Sequence, residues 1–348
     1  MNFIIRPARP GDLQALYEMA KVTGGGFTNL PADRDALSAK LRRSAAALAR
    51  EEEEIADDLI LFVLENRDTG QIRGTCQIFS QIGLTTPFYS YRLGTLTQHS
   101  RELNRTFRAQ MLSLTTDLEG ATEVGGLFLH PRERAEGLGL LLARSRYLYI
   151  RQHRARFGER ILAELRGVID EGGGSPFWDG LAGRFFGMSF QEADGFNALH
   201  GNQFIADLMP KTPIYVDMLS DPARAVIGRP HPNGRAAMRM LETEGFKYNG
   251  YVDIFDGGPT MLGKIDNLKS VAQAREVRFA GIHGAGTHGP GTQGENGVKV
   301  VAATGRLGDF RCAYAQAVFD EGDGVRLDEA AAERLGLLSE DRLLVMER

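Results

Sequence analysis

The chain has 348 residues, 43% of them hydrophobic and 25% charged, with 41 basic residues against 45 acidic ones and a net charge of −4. These values exclude a disordered or fibrous chain and leave room for about two domains. The near balance of charge removes any overall pull toward nucleic acid or an anionic membrane surface. Cys76 and Cys312 stand far apart, which argues against a disulfide framework and for a reducing compartment. No apolar run has the length of a signal peptide core or a membrane span, so a cytoplasmic protein is expected.

Asn2–Arg6 reads as a strand, followed by a turn in which Asp12 stands ready to cap a helix over Leu13–Lys21. Thr23–Pro31 is a loop with three consecutive glycines, whose bare backbone allows close approach to a ligand. A helix over Asp33–Glu54 carries Leu37, Leu41, Ala45 and Leu48 on one stripe and ends in charge. Leu59–Glu65 and Ile72–Ile82 are strands joined by Asn66–Gly70, which has hairpin-turn chemistry. Ser90–Thr97 and Leu112–Thr116 are further strand candidates. Thr122–Leu129 is a strand that runs through His130-Pro131 and a glycine turn into a helix over Leu138–Arg156.

Beyond this helix, Ile161–Ile169 reads as a strand, Asp170–Ser175 as a glycine-rich loop and Pro176–Gly187 as a helix containing Trp178. Residues 190–230 are short elements broken by prolines. A helix over Asn233–Glu244 ends at Gly245, and Phe246–Phe255 is a strand. From Val271 the composition changes. A loop at 283–296 is almost wholly glycine and polar residues, and Val298–Thr304, Cys312–Val318 and Arg342–Met346 form a small C-terminal β unit. Strands and helices interleave, which gives a mixed α/β fold class.

The sharpest local signal is Arg134-x-x-Gly137-x-Gly139 between a strand and a helix. Such a turn gathers backbone N–H groups at a helix N-terminus into a nest for phosphate oxygens. It is not spaced as a dinucleotide fingerprint, and taken alone it also reads as a tightly packed helix start. A second signal, Met240-Leu241-Glu242-Thr243-Glu244-Gly245-Phe246, is a helix, a glycine cap and an aromatic strand start.

Together these two elements resemble the GNAT superfamily of acyl-CoA-dependent N-acyltransferases, in which the glycine turn cradles the CoA pyrophosphate. Five further blocks, Lys21–Pro31, Ala163–Trp178, Phe204–Pro213, Val226–Pro232 and Tyr251–Pro259, resemble the arginine N-succinyltransferase family in the same order along the chain. The resemblance implies a GNAT-like central mixed sheet flanked by helices over residues 1–265, with family-specific material at about 170–230, then the C-terminal β unit at 271–348. It implies transfer of succinyl from succinyl-CoA, a cosubstrate, to the α-amine of L-arginine, with ornithine as a further acceptor and no tightly bound cofactor. A homo-oligomer, or pairing with a paralogous subunit, is expected; nucleic acid and membrane are not. Two other readings stay open from the residues alone: an N-acetyltransferase of another small amine, and a regulatory subunit that binds CoA or arginine without catalysis.

The resemblance makes His231, in a loop stiffened by Pro230 and Pro232, the proton donor to CoA; without it, a solvated loop histidine is the commoner case. It also places Leu127 in the succinyl-CoA site, where Leu127 and Leu129 would offer backbone groups to the pantetheine arm and Arg134, Gly137 and Gly139 the phosphate nest. Recognition of arginine needs carboxylates for the guanidinium and a cation for the carboxylate. Glu164 and Arg166 lead for these tasks because a strand over 161–169 would put both on one face. Asp170 is a third candidate, and Glu171, Asp253, Asp256 and Lys211 are further ones. The remaining histidines have no metal-ligand spacing, so no metal is expected.

Overall fold

The computed structural model describes residues 2–23, 29–134, 136–283 and 297–348, the side chains of 198 and 199 apart. Most of the two expected glycine-rich loops, at 24–28 and 284–296, therefore lies outside the described residues.

β1 (Phe3–Pro7) buries Ile4 and Ile5. α1 (Leu13–Val22) follows, but Asp12 does not cap it with its side chain. Its carboxylate instead takes the Arg9 N–H at 2.7 Å and the Arg6 guanidinium at 2.8 Å, which closes the loop onto β1. α2 (Arg34–Ala49) is capped by Asp33, which accepts from the Ala36 N–H at 2.7 Å. It ends before the expected Glu54 because the Arg50 guanidinium donates to the carbonyls of Glu52, at 2.8 Å, and Glu54, at 2.9 Å, and holds that charged stretch as a loop. β2 (Leu59–Asn66) and β3 (Ile72–Phe79) form the expected hairpin, its turn shaped by the Asn66 side chain accepting from the Asp68 N–H at 2.9 Å.

β4 (Ser90–Ser100) and β5 (Arg105–Thr115) pair over their whole length. β6 (Thr122–Leu129) leads into α3 (Leu138–Gln152), which passes into a short turn at Arg154–Arg156. β7 (Arg160–Glu164) ends at Glu164 and not at the expected Ile169. Beyond it the Gly167 N–H donates to the Asp256 carboxylate at 2.7 Å, so a side chain takes the place of a ladder partner and draws the chain off the strand path.

Short helices α4 (Pro176–Gly180), α5 (Gly183–Phe186), α6 (Phe190–His200), α7 (Gln203–Leu208) and α8 (Asp221–Val226), with the two-residue strand β8 (Ile214–Tyr215), fill the proline-broken region. Trp178 is fully buried among them and stacks on Phe255 with ring centroids 5.6 Å apart. α9 (Arg235–Glu244) ends at Gly245, at φ +112°, before β9 (Lys247–Val252) and β10 (Pro259–Lys264). The strand expected to reach Phe255 stops at Val252 because the Asp253 carboxylate folds the chain over, accepting from the N–H groups of Phe255 and Asp256 at 2.7 and 2.8 Å. α10 (Lys269–Gln273), β11 (Arg275–Ile282), β12 (Val298–Thr304), β13 (Arg311–Phe319), β14 (Gly324–Leu327), α11 (Glu329–Leu335) and β15 (Arg342–Glu347) complete the chain.

The chain forms two compact units that interleave in sequence. Unit one comprises Met1–Ser80, Val124–Phe157 and Asp266–Arg348. Its strand order is β12-β15-β11-β14-β13-β1-β2-β3-β6, and β12 also pairs with β13. The five C-terminal strands therefore close on themselves as a small ring, filled by Val277, Phe279, Val300, Ala302, Leu327 and the alanines of β13. One edge of β13 carries β14 and, further along, β1 through Ile5 opposite Cys312. α1 and α2 cover β2 through Leu16, Leu37, Leu41, Leu61 and Val63. Unit two comprises Gln81–Glu123 and Gly158–Ile265, with Thr122 and Glu123 parallel to β7 and then the order β7-β10-β9-β4-β5-β8. Its core gathers Tyr91, Phe177, Trp178, Ile205 and Val252.

Candidate active site

In unit one the candidate cosubstrate residues lie on and just after β6. Within this unit Val124–Leu129 of β6 lies beside β3 and runs directly into the glycine turn. Gly126, at φ +60°, breaks the pleat immediately before Leu127, and Leu127 and Leu129 are half-buried. His130 then anchors the turn, its Nδ1 lying 3.0 Å from the Arg73 guanidinium and accepting from the Arg132 N–H at 3.3 Å. Burial and Arg73 lower its pKa, so His130 is a neutral turn residue, as its position before Pro131 suggested.

Glu136 and Gly137 both lie in the left-handed region, at φ +61° and +82°, and Gly137 is the N-cap of α3. The change of hand from Gly137 to the helical Leu138 turns successive N–H groups to one side, the concave arrangement suited to phosphate oxygens. Gly139 has only a Leu129 methyl 3.9 Å from where a Cβ would stand, and Arg134 is exposed with its guanidinium unpaired among the described residues. Neither cysteine is an activated nucleophile. Both are buried; burial pushes the Cys76 thiol up to about 11 and Cys312 higher still.

In unit two, Pro232–Gly234 forms a short turn ahead of α9, and His231 stands at its head. The His231 N–H donates to the Arg166 carbonyl at 2.7 Å. Its Nδ1 accepts from the Asn233 N–H at 3.2 Å, which leaves the imidazole proton on Nε2, the nitrogen that points away from the turn. Burial and then the Arg166 charge lower its pKa. A neutral imidazole that presents Nε2–H is a hydrogen-bond donor, suited to a developing oxyanion or thiolate.

Glu164 ends β7 opposite Thr260 on β10. Burial, and then the nearby carboxylates Asp253, Glu123 and Asp256, push its pKa well above the usual range. Two of these neighbours are already engaged by backbone N–H groups. Asp256 takes those of Gly167 and Gly258, at 2.7 and 2.8 Å, and Asp253 those of Phe255 and Asp256. Glu164 thus stands among like charges as a site that a cation would relieve. Arg166 lies past the strand end and does not alternate with Glu164 on one strand; it is instead brought to His231 and, electrostatically, to Asp194. Asp170 is exposed, and its carboxylate takes the Gly174 N–H at 2.8 Å, so it closes its own loop. Lys211 donates to the Ala206 carbonyl. The described residues contain no cluster that could hold a metal. Asp194 escaped sequence reasoning because nothing local marks it; only the fold brings it near Asp253 and Arg166.

Comparison with known proteins gives these arrangements a context. A family model described as the arginine N-succinyltransferase beta subunit matches residues 3–270, and one for its C-terminal domain matches residues 288–347. The chain is 46% identical over 281 residues to an arginine N-succinyltransferase of Enterobacter sp. (strain 638), covering 80% of each protein. It is 45% identical over 272 residues to that of Citrobacter koseri, covering 78% of this chain and 79% of the relative. The solved structure of arginine/ornithine succinyltransferase subunit AI from Pseudomonas aeruginosa is similar over 99% of this chain and 98% of that one, with a TM-score of 0.87 at 30% identity.

Proposed function

Since the chain belongs to the arginine N-succinyltransferase family and is an acyl-CoA-dependent N-acyltransferase, we propose that it moves the succinyl group of succinyl-CoA onto the α-amine of L-arginine. The amine nitrogen attacks the thioester carbon directly. The C–N bond forms, the C–S bond breaks, and the ammonium proton leaves to a base while CoA departs as a thiolate. The observation that carries this reading is the left-handed turn at Glu136–Gly137 between β6 and α3. In this reading, an extended pantetheine arm pairs with Leu127 and Leu129, and the pyrophosphate sits on the N–H groups at Gly137 and Gly139 with Arg134 at hand.

His231 donates from Nε2 to the sulfur or oxygen as negative charge develops. Glu164 receives the cationic side of arginine, Arg166 serves a substrate carboxylate, and Asp170 shapes the loop beside them. The raised thiols of Cys76 and Cys312 favour direct attack over a cysteine relay and suit a reducing cytoplasm. The description of the Pseudomonas aeruginosa relative as a subunit supports an oligomeric assembly.

Thiol release from succinyl-CoA and acetyl-CoA, each with arginine and with ornithine, tests the reading. Release with succinyl-CoA and arginine supports it. Preference for acetyl-CoA or another amine replaces the substrates, and no release with any pair refutes catalysis.

A further inference from the structure

The C-terminal β ring reaches the glycine turn through two side chains. Tyr314, on β13, donates its hydroxyl to the Gly137 carbonyl at 2.7 Å. Arg348, just past β15, donates from its guanidinium to the Glu136 carbonyl at 2.6 Å. The same guanidinium lies over the Tyr314 ring, 4.4 Å from its centroid, so the two residues brace each other. Burial raises the Tyr314 phenol above its ordinary value, which keeps the hydroxyl a donor.

These bonds fall on the two residues whose backbone is unusual. Glu136, at φ +61°, has a Cβ and is disfavoured in the left-handed region, whereas Gly137 adopts it freely. Holding the Glu136 and Gly137 carbonyls toward the ring fixes the peptide planes, which leaves the opposing N–H groups of the turn to face a ligand. The Gly137 carbonyl also accepts from the N–H groups of Leu140 and Leu141, both at 3.0 Å, so the Tyr314 hydroxyl joins the first turn of α3. A Cβ at Gly137 would displace the Arg348 guanidinium, the end of a flexible side chain, while the positive φ is what favours glycine there.

We propose that Tyr314 and Arg348 are positioning residues that set the glycine turn for the pyrophosphate of an acyl-CoA, giving the C-terminal β ring a part in cosubstrate binding. The proposal rests on the reading of this turn as the CoA site. It concerns neither the thioester nor the amine, and that separates its consequences from those of the chemistry.

The test compares succinyl-CoA with succinyl-pantetheine, which carries the same thioester without the nucleotide or pyrophosphate, in wild type, Tyr314→Phe and Arg348→Gln. Each variant is expected to raise the KM for succinyl-CoA about five- to tenfold, the scale of one lost hydrogen bond to a constrained group. The kcat at saturation, the KM for arginine and the melting temperature should stay near wild type, and the variants should match wild type with succinyl-pantetheine. An unchanged KM for succinyl-CoA overturns the proposal, and so does an equal rise for both thioesters. A rise confined to Arg348→Gln also overturns it, since Arg348 would then be a direct phosphate ligand. If wild type itself uses both thioesters equally well, the assignment of the turn to CoA fails instead.

Discussion

The His231 N–H donates to the Arg166 carbonyl at 2.7 Å, so one residue holds the imidazole loop by its main chain and biases the imidazole by its side-chain charge. The two effects are separable, because Arg166→Gln removes the charge and keeps the carbonyl. Burial and Arg166 both disfavour the imidazolium, so His231 stays neutral until the pH falls below its ordinary value of about 6.5. Arg166→Gln should move the titration upward, toward that value. Imidazole NMR shifts followed against pH read this directly, and an unmoved or lowered titration contradicts it.

His231→Ala should lower kcat about a hundredfold or more while binding of CoA persists, because the side chain is assigned to donation and not to holding the nucleotide. Steady-state rates with calorimetry of CoA binding separate the two. Full turnover in the variant removes the donor role.

Glu164→Gln should trade affinity for stability. With its folded pKa raised, the stability this carboxyl contributes is full below the ordinary carboxyl range, falls as pH rises above that range, and is fully lost once pH has passed the folded pKa. Gln carries no such charge and should raise the melting temperature at neutral pH. The same change should raise the KM for arginine about tenfold or more. In wild type that KM should climb as pH falls and Glu164 is protonated, and the variant should lose this dependence. A less stable variant with unchanged KM rules out a cation site at Glu164.

Gly137→Glu should abolish CoA binding, since it forces a side chain onto a residue at φ +82°, meets Arg348 and puts negative charge in the phosphate nest. Normal affinity by calorimetry would exclude the nest.

Asp256→Ala should destabilise unit two by about 2 kcal/mol or more, because it leaves the N–H groups of Gly167 and Gly258 without their acceptor. Denaturant unfolding measures this, and a neutral result shows that these N–H groups find other partners.

How far the sequence discloses this arrangement depends on the range of the interactions involved. β2, β6 and α3 are legible because their apolar runs and the glycine turn are local signals. The first half of β5 is not, since Arg105–Gln110 is mostly polar and exposed and only pairing with β4 makes it a strand. The end of β7 is decided by Asp256, 89 residues from the Gly167 N–H it captures, so the expected shared face of Glu164 and Arg166 dissolved. His231 and the glycine turn stood out through family blocks and local geometry. Tyr314 and Arg348 stood out through nothing local, because their partners at Gly137 and Glu136 lie 177 and 212 residues away.

The pairing of Ile5 with Cys312 joins two strands 307 residues apart in the sequence. During translation β1 can find β2 early, but its other edge waits for β13. Contacts of such sequence separation form late, and an open edge meanwhile invites misassembly. Because Tyr314 and Arg348 follow the glycine turn by 177 and 212 residues, that turn gains its bracing long after it has itself been made. Premature termination upstream of Tyr314 would therefore yield a product that retains His231 and Glu164 yet grips its cosubstrate poorly.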